Sequence, residues 1–583
     1  MKSYYQKKVR KRTIFLAAFF LLWVVVILGR LIQLQVIEHP KAKARVIEHT
    51  QNRNKIRPKR GDIYDRNGTI LARSVPRLSI FLKPDKAESA EEQWKKITRL
   101  APLLELNEKK LTGIRTLIEN GHPFIWIARQ VEASVAERVK ALNLSGISMI
   151  EENKRVYPQG RRASHVVGRV DIDGKGLSGV EYKYDALLGG KEGEVLILRD
   201  ARRRRFHFET LNPPVDGKDL VLTLDETIQY IAEKELGKAI KEYQAAWGTI
   251  IISVPRTGEI LAMANYPDFD PNVPISPVSE ANRNRAVQHL YDPGSTLKIV
   301  TASAALENGC VGLEETFDCS QGYIAWGRNI FRDHKKFGVL SFPEVVIHSS
   351  NVGSIQIGDR VGARNLFEAL RRFGFGTRTG IDLPAEERGI LRPLEKWTDI
   401  STASVSIGYE IAVTPIQMLQ TLNTVANLGT AVCPKVVKSI PGSDEGLRRS
   451  PEAPRRVISP GTARTMSEIL RRVVSEGTGQ QARIPGYTVV GKTGTAQKLD
   501  PVTKSYTSSA HIASFVGYVA KERPLFSMIV VIDSPKGAYY GSHVAAPVFR
   551  EVAKKVLLYL GIAPEKKASE TLIASRADRS PDG

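Results

Sequence analysis

Apolar positions along the chain change their spacing several times, and each change predicts an element. From Thr13 to Gly29 no residue is charged, and Leu31 to Ile37 continues the apolar face past Arg30. Seventeen residues is short for a bilayer span, but an arginine at the end can snorkel and lengthen it. The run therefore predicts a membrane anchor over residues 13–36 behind a cytoplasmic tail, 1–12. Residues 38–59 are charged and aperiodic, which predicts a helical stalk or an extended linker. Between Arg60 and Ala72 apolar residues flank Asn67-Gly68, a hairpin signal.

Residues 85–145 combine charges with helical periodicity, as in Glu105 to Leu117, and Ile147 to Val156 reads as a strand. Turns follow at Pro158 and in the cluster Gly174 to Gly179. The Asn212-Pro213-Pro214-Val215-Asp216-Gly217 run marks a domain boundary. Beyond it, Asp225 is placed to cap a helix in which Ile228, Ile231, Leu236 and Ile240 repeat near 3.6. Gly248–Val254 and Glu259–Ala264 then form a hairpin through Pro255 to Gly258, and a helical middle runs from about 280 to 480. Strands resume at Tyr487–Gly491, Ala513–Val519 and Leu525–Ile532, and a closing helix spans Ala546 to Leu560.

Strands at both ends with helices between imply an α+β fold, an antiparallel sheet assembled from both ends of residues 216–562 and flanked by helices. A mixed α+β module, 37–215, precedes it, and the polar tail 563–583 is expected to be disordered.

Charge and cysteine count narrow the classes of function. The net charge of +23 could suggest nucleic acid, but the basic residues are dispersed and no zinc spacing or recognition-helix pattern accompanies them. A basic exterior facing anionic lipid and wall polymer is the simpler account. The one dense run, Arg202 to Arg205, reads as a solvated turn. Lys2, Lys7, Lys8, Arg10, Lys11 and Arg12 precede the apolar run, which by the positive-inside rule puts the N-terminus in the cytoplasm and the rest outside. No small-x-small cleavage site follows, so the anchor is expected to be retained. Cys310, Cys319 and Cys433 are too few for a disulfide scaffold; Cys310 and Cys319 could pair, or all three could be free. No Cys/His cluster has metal-ligand spacing.

Candidate chemistry centres on Asp292-Pro293-Gly294-Ser295-Thr296-Leu297-Lys298. Pro293 and Gly294 turn the chain, and the apolar run after them is helical until Asn308-Gly309, so Ser295 sits at a helix start. Residues three apart share a face, which brings the Ser295 hydroxyl within hydrogen-bond reach of the Lys298 amine. A neutral lysine there can take the hydroxyl proton. Alone the pair is weak, because it should occur about twice by chance in such a chain. Ser349-Ser350-Asn351 supplies Ser-x-Asn, and Val489-Val490-Gly491 leads as a short strand into Lys492-Thr493-Gly494-Thr495. Lys-Thr-Gly alone should arise by chance roughly 0.2 times per chain of this length. These motifs occur in the order known for serine β-lactamases and penicillin-binding proteins.

With Asn284-Arg285-Ala286, His348 to Gly353, and Gly408-Tyr409 before Val413-Thr414-Pro415, residues 40 to 562 resemble a class B penicillin-binding protein. The Ser-Ser-Asn-Val-Gly form is more similar to the division-specific, FtsI-type branch. The resemblance implies a peptidoglycan D,D-transpeptidase with a non-catalytic pedestal of the dimerisation type, inhibited by β-lactams and needing neither metal nor cofactor. It implies that Ser295 attacks the D-Ala-D-Ala end of a stem peptide, with Lys298 as base. Ser349 would relay a proton to the leaving amine, and Asn351 would fix Lys298 and the substrate backbone. Lys492, Thr493 and Thr495 would hold the substrate carboxylate, Gly494 would let an extended peptide lie close, and the N–H groups of Ser295 and Thr495 would form an oxyanion hole. Implied partners are a donor and an amine-bearing acceptor stem peptide, a membrane glycan polymerase and the division machinery. An elongation-type transpeptidase, a D,D-carboxypeptidase or β-lactamase, and a non-catalytic β-lactam sensor remain alternatives at this point.

Overall fold

The computed structural model describes residues 2–38, 51–85, 87–199, 205–276, 278–442, 453–500 and 505–565. They form two compact units, one comprising residues up to Lys59 with Gly190–Gly217, the other Arg60–Gly189 with the chain from Lys218 onward.

The first unit begins with a helix, Lys2–Ile32, that runs on through a wider π-type turn, Gln33–Ile37. Within the segment Tyr4–Ile37 the most apolar 18-residue stretch has a mean hydropathy of 2.6 and is not buried inside the protein, so by length and composition the helix can cross a membrane. The helix takes in the expected tail, 1–12, from Lys2 onward, because nothing in its lysine- and arginine-rich run breaks a helix. Of the expected linker 38–59, residues 39–50 lie outside the described residues, and Gln51–Ile56 is a strand. Its partner Gly193–Arg199 pairs in turn with Arg205–Asn212, all antiparallel, with Ile56 opposite Gly193 and Leu198 opposite His207. The Arg202–Arg205 turn and the tail from 566 also fall outside the described residues, apart from Arg205, which opens a strand.

In the second unit the Asn67-Gly68 hairpin forms as expected, joining Ile63–Tyr64 to Ile70–Leu82. The Asp65 carboxylate accepts from the N–H groups of Asn67 (2.8 Å) and Thr69 (2.7 Å), and Gly68 takes φ 91°, which a side chain would resist. Asp65 also accepts from Glu226 N, and Asn67 donates to Asp225, the cap of the Glu226–Glu242 helix. This turn therefore seats the start of that helix. Along Ile70–Leu82 lie Ile147–Val156 and Ile125–Val131. Ala90–Leu100, Glu108–Glu119 and Ala133–Ala141 bury Ile97, Leu100, Ile114 and Val139 against Ile80, Leu82 and Ile127. Ile125–Val131 corrects the wholly helical reading of 85–145. Leu220–Leu222 pairs with Ile63–Tyr64 and with Val437–Ser439, so this sheet gathers strands from both sides of residue 216.

A five-stranded sheet runs in the order Ile260–Tyr266, Trp247–Ser253, Pro524–Asp533, Tyr506–Ala520, Thr488–Leu499, antiparallel throughout. Both faces are covered, which is why Ile250 to Ile252 reads as an unbroken apolar run. Ile250 and Ile252 join the core under Glu226–Glu242 and Ala545–Tyr559, while Ile251 joins that of the helical lobe. The expected helical middle also contains short ribbons, notably Tyr323–Trp326 with Asn329–Arg332 and Ile390–Leu391 with Ile411–Ala412. Their two to four residues are too few for a periodicity to register.

Candidate active site

Ser295 lies in a three-ten turn, Gly294–Leu297, that feeds the Lys298–Glu307 helix. Such a turn eclipses residues three apart, aligning Ser295 with Lys298 along one edge. The turn is wedged on both sides. Gly294 has φ 53°, and a Cβ there would come within 2.8 Å of the Thr495 carbonyl oxygen. From the other side Gly294 N donates to Gly408 O at 3.1 Å, where a Cβ on Gly408 would meet Gly294 O at 2.0 Å.

The Ser295 hydroxyl is half-buried, faces a cavity of about 870 Å³ and makes no hydrogen bond among the described residues. The Ser295–Lys298 hydrogen bond expected from spacing is thus not formed. Lys298, 1% exposed, donates instead to Ser349 O (2.7 Å), Asn351 Oδ1 (2.8 Å), Ser350 O (3.2 Å) and, at longer range, Ser349 Oγ (3.4 Å). Burial lowers its pKa to about 7 from 10.5, partly opposed by the carboxylate of Asp333.

Those acceptors converge because the chain turns sharply between two helices. Phe342–His348 ends at Ser349 in the left-handed region, φ 59°, and Asn351–Val361 starts with Ser350 as its cap. The adjacent serines divide their work. Ser350 Oγ is buried, accepting from Gly353 N at 3.0 Å and donating to Asp333 Oδ2 at 2.7 Å, whereas Ser349 lines the cavity. Lys492, 0% exposed, donates to Ser349 Oγ at 2.8 Å, and burial with the neighbouring Lys298 charge holds its amine well below the usual lysine range.

Thr493 and Thr495 line the same cavity; Thr493 pairs with Thr478 through their hydroxyls (2.8 Å), and Thr495 Oγ1 accepts from Gly541 N (2.9 Å). Gly494 lies where a Cβ would meet Ser514 Oγ at 2.4 Å, Thr296 Cγ2 at 2.8 Å and Pro293 O at 3.1 Å. The strand must lack a side chain there for the Ser295 turn to pack against it. Thr488–Leu499 ends the sheet, leaving an edge along which an extended peptide can pair.

Asp333 carries structure that sequence reasoning left without a role. Its carboxylate takes Ser350 Oγ, Asn351 N and Val352 N (3.2 Å), fixing the turn that surrounds Lys298. His334 lines the cavity and packs edge-on to Phe337. Tyr409 stacks edge-to-face on Tyr506, whose hydroxyl reaches Asp292; burial raises the Asp292 carboxyl to about 6. Cys310, Cys319 and Cys433 form no disulfide, and among the described residues no group of His, Cys, Asp and Glu is arranged to hold a metal.

A hydroxyl beside two buried amines, at the junction of a helical lobe and an antiparallel sheet, defines the penicillin-recognising class of serine acyltransferases. The penicillin-binding protein transpeptidase domain matches residues 248–554, and the penicillin-binding protein dimerisation domain matches 55–222. Stage V sporulation protein D of Bacillus subtilis is 35% identical over 96% of this chain and 88% of its own length. Peptidoglycan D,D-transpeptidase FtsI of Buchnera aphidicola is 30% identical over 97% of this chain and 99% of its own. Among solved structures, penicillin-binding protein 3 of Mycobacterium tuberculosis complexed with aztreonam has a TM-score of 0.68 and 28% identity, covering 88% of this chain and 98% of that one. The chain belongs to the class B penicillin-binding proteins, serine-type peptidoglycan D,D-transpeptidases.

Proposed function

We propose that this transpeptidase cross-links stem peptides during septal wall synthesis, anchored by residues 13–36 in the cytoplasmic membrane with its catalytic part outside. Residues 37–215 serve as the pedestal and 216–562 as the catalytic domain. The observation that carries the chemistry is the convergence of Lys298 and Lys492 on Ser349 beside the Ser295 hydroxyl.

Ser295 attacks the carbonyl of the penultimate D-Ala. Its proton passes to neutral Lys298, whose pKa of about 7 leaves a large unprotonated fraction at neutral pH. The tetrahedral oxyanion is met by the N–H groups of Ser295 and Thr495. Collapse breaks the peptide bond, and the departing amine takes a proton through Ser349, which Lys492 orients. Thr493 and Thr495 bind the terminal carboxylate, and Asn351 steadies Lys298 and the donor backbone. The acceptor amine then displaces Ser295 from the ester.

Lysines and arginines ahead of the anchor support a cytoplasmic N-terminus. A membrane glycan polymerase and division proteins are the partners this reading requires, with β-lactams as inhibitors acylating Ser295. The chemistry is tested by mapping a fluorescent penicillin adduct and by following cross-link formation from a stem-peptide donor. A stable adduct on Ser295 with turnover of the donor supports it; an adduct elsewhere overturns it. Depletion separates the cellular roles: filaments fit septal synthesis, whereas round cells would assign the chain to elongation.

A further inference from the structure

One carboxylate is present in the lining of the Ser295 cavity, that of Glu410. The same lining contains the guanidinium of Arg332 and the imidazoles of His334, His511 and His543, so acidity is confined to one wall. Burial lowers the pKa of His334 and His511, which leaves both rings uncharged at neutral pH.

Glu410 is held there at a cost. Its φ is 59°, a left-handed conformation that a residue with a side chain adopts only when its surroundings impose it. Three contacts do so. Gly408, two residues earlier, accepts from Gly294 N and packs directly against the turn bearing Ser295. Ile411–Ala412 is paired with Ile390–Leu391. The Tyr506 hydroxyl reaches the Glu410 main chain from the strand next to Lys492-Thr493-Gly494. The side chain is also committed on one side only: Oε2 accepts from Arg392 and from Ser401 Oγ (2.9 Å), while Oε1 makes no hydrogen bond among the described residues.

We propose that Glu410, with the wall formed by Ile400, Ser404, Ile407 and Tyr409, is the subsite for the acceptor, and that Oε1 receives the acceptor as a primary ammonium. This rests on the transpeptidase reading and deepens it, since it names the group that selects an amine over water. Ammonium binding at Glu410 holds the incoming nitrogen on the side of the cavity that abuts the Ser295 turn. One proton is then shed to water, and the nitrogen lone pair forms the amide bond as the bond between acyl carbon and Ser295 Oγ breaks. The second proton passes through Lys298 to that oxygen. Arg392 keeps the carboxylate turned without occupying its second oxygen.

The test uses the full-length protein in detergent with a D-Ala-ended thioester donor and two acceptors of matched shape, D-alanine and D-lactate. For the wild type, transfer to D-alanine should exceed transfer to D-lactate. In Glu410→Gln the KM for D-alanine should rise about ten-fold while that for D-lactate moves less than two-fold, and Glu410→Asp should recover part of the loss. A merely structural role would alter both acceptors equally, and an equal change, or none, overturns the proposal. Failure of the wild type to release thiol from the donor would instead sink the underlying transpeptidase reading.

Discussion

Lys298 and Lys492 share one acceptor, the hydroxyl oxygen of Ser349, at 3.4 and 2.8 Å. Two ammonium groups this close and this buried repel each other and lack water, so the pair favours a state with one amine neutral. Acylation should therefore follow the neutral fraction of Lys298. The second-order rate of labelling by a fluorescent penicillin should climb as pH rises through about 7 and level off above it. Below that it should fall by about ten-fold per pH unit. Lys298→Arg, which cannot deprotonate, should lower the plateau by at least about 100-fold. A flat profile between pH 5.5 and 8.5 would remove Lys298 as the base. The same depressed amine makes stability increase with pH between about 7 and the unfolded lysine value of 10.5, because only the unfolded chain holds the proton there.

Asp333→Asn should slow acylation without touching the nucleophile. An amide cannot accept simultaneously from Ser350 Oγ, Asn351 N and Val352 N as the carboxylate does. The turn around Lys298 should loosen, costing about 1–3 kcal/mol of stability and about ten-fold in labelling rate. Thermal unfolding and labelling kinetics on one preparation measure both; an unchanged rate would show that the turn holds itself.

Gly494→Ala tests how closely the Ser295 turn and the Lys492 strand must approach. The added methyl meets Ser514 Oγ, Thr296 Cγ2 and Pro293 O within 2.4–3.1 Å, so strand and turn must separate. A loss of about 1–3 kcal/mol is expected, together with slower labelling that outlasts correction for folded fraction. Equal labelling per folded molecule would mean the gap can widen harmlessly.

Far from the nucleophile, Glu181 is fully buried between two guanidinium groups, Arg60 Nε at 2.6 Å and Arg155 Nε at 2.7 Å. Glu181→Ala leaves buried Arg155 without a carboxylate and Arg60 with Asp185 alone, and should cost about 3–5 kcal/mol. The midpoint of thermal unfolding should drop sharply, while the penicillin labelling rate of molecules that remain folded stays at the wild-type value. A small shift in midpoint would indicate that water enters to solvate the arginines.

What the sequence made legible follows from how local each signal is. Ser295, Lys298 and the Lys492–Thr495 run announce themselves because a turn, a helix and a strand place them with nearby residues alone. The hairpin at Asn67-Gly68 is equally local. Asp333 was opaque: its carboxylate meets backbone N–H groups about twenty residues on, which no side-chain pattern records. Gln51–Ile56 was opaque too, since a polar strand stabilised by its neighbour Gly193–Arg199 shows no alternation. The Ser295–Lys298 contact was anticipated from spacing, yet the denser set of acceptors around Ser349 outcompetes that hydroxyl for the amine.

In the five-stranded sheet Ile251 lies opposite Ile529, and Trp247–Ser253 has Pro524–Asp533 as a neighbour. During translation the early strands emerge long before the partners that complete them, so their edges stay unsatisfied until the ribosome has passed residue 533. A premature stop between residues 299 and 533 would release a polypeptide that carries Ser295 and Lys298 but cannot close the sheet. Such fragments should fall to proteases rather than compete for drug or substrate, which makes nonsense alleles of this chain simple losses of function.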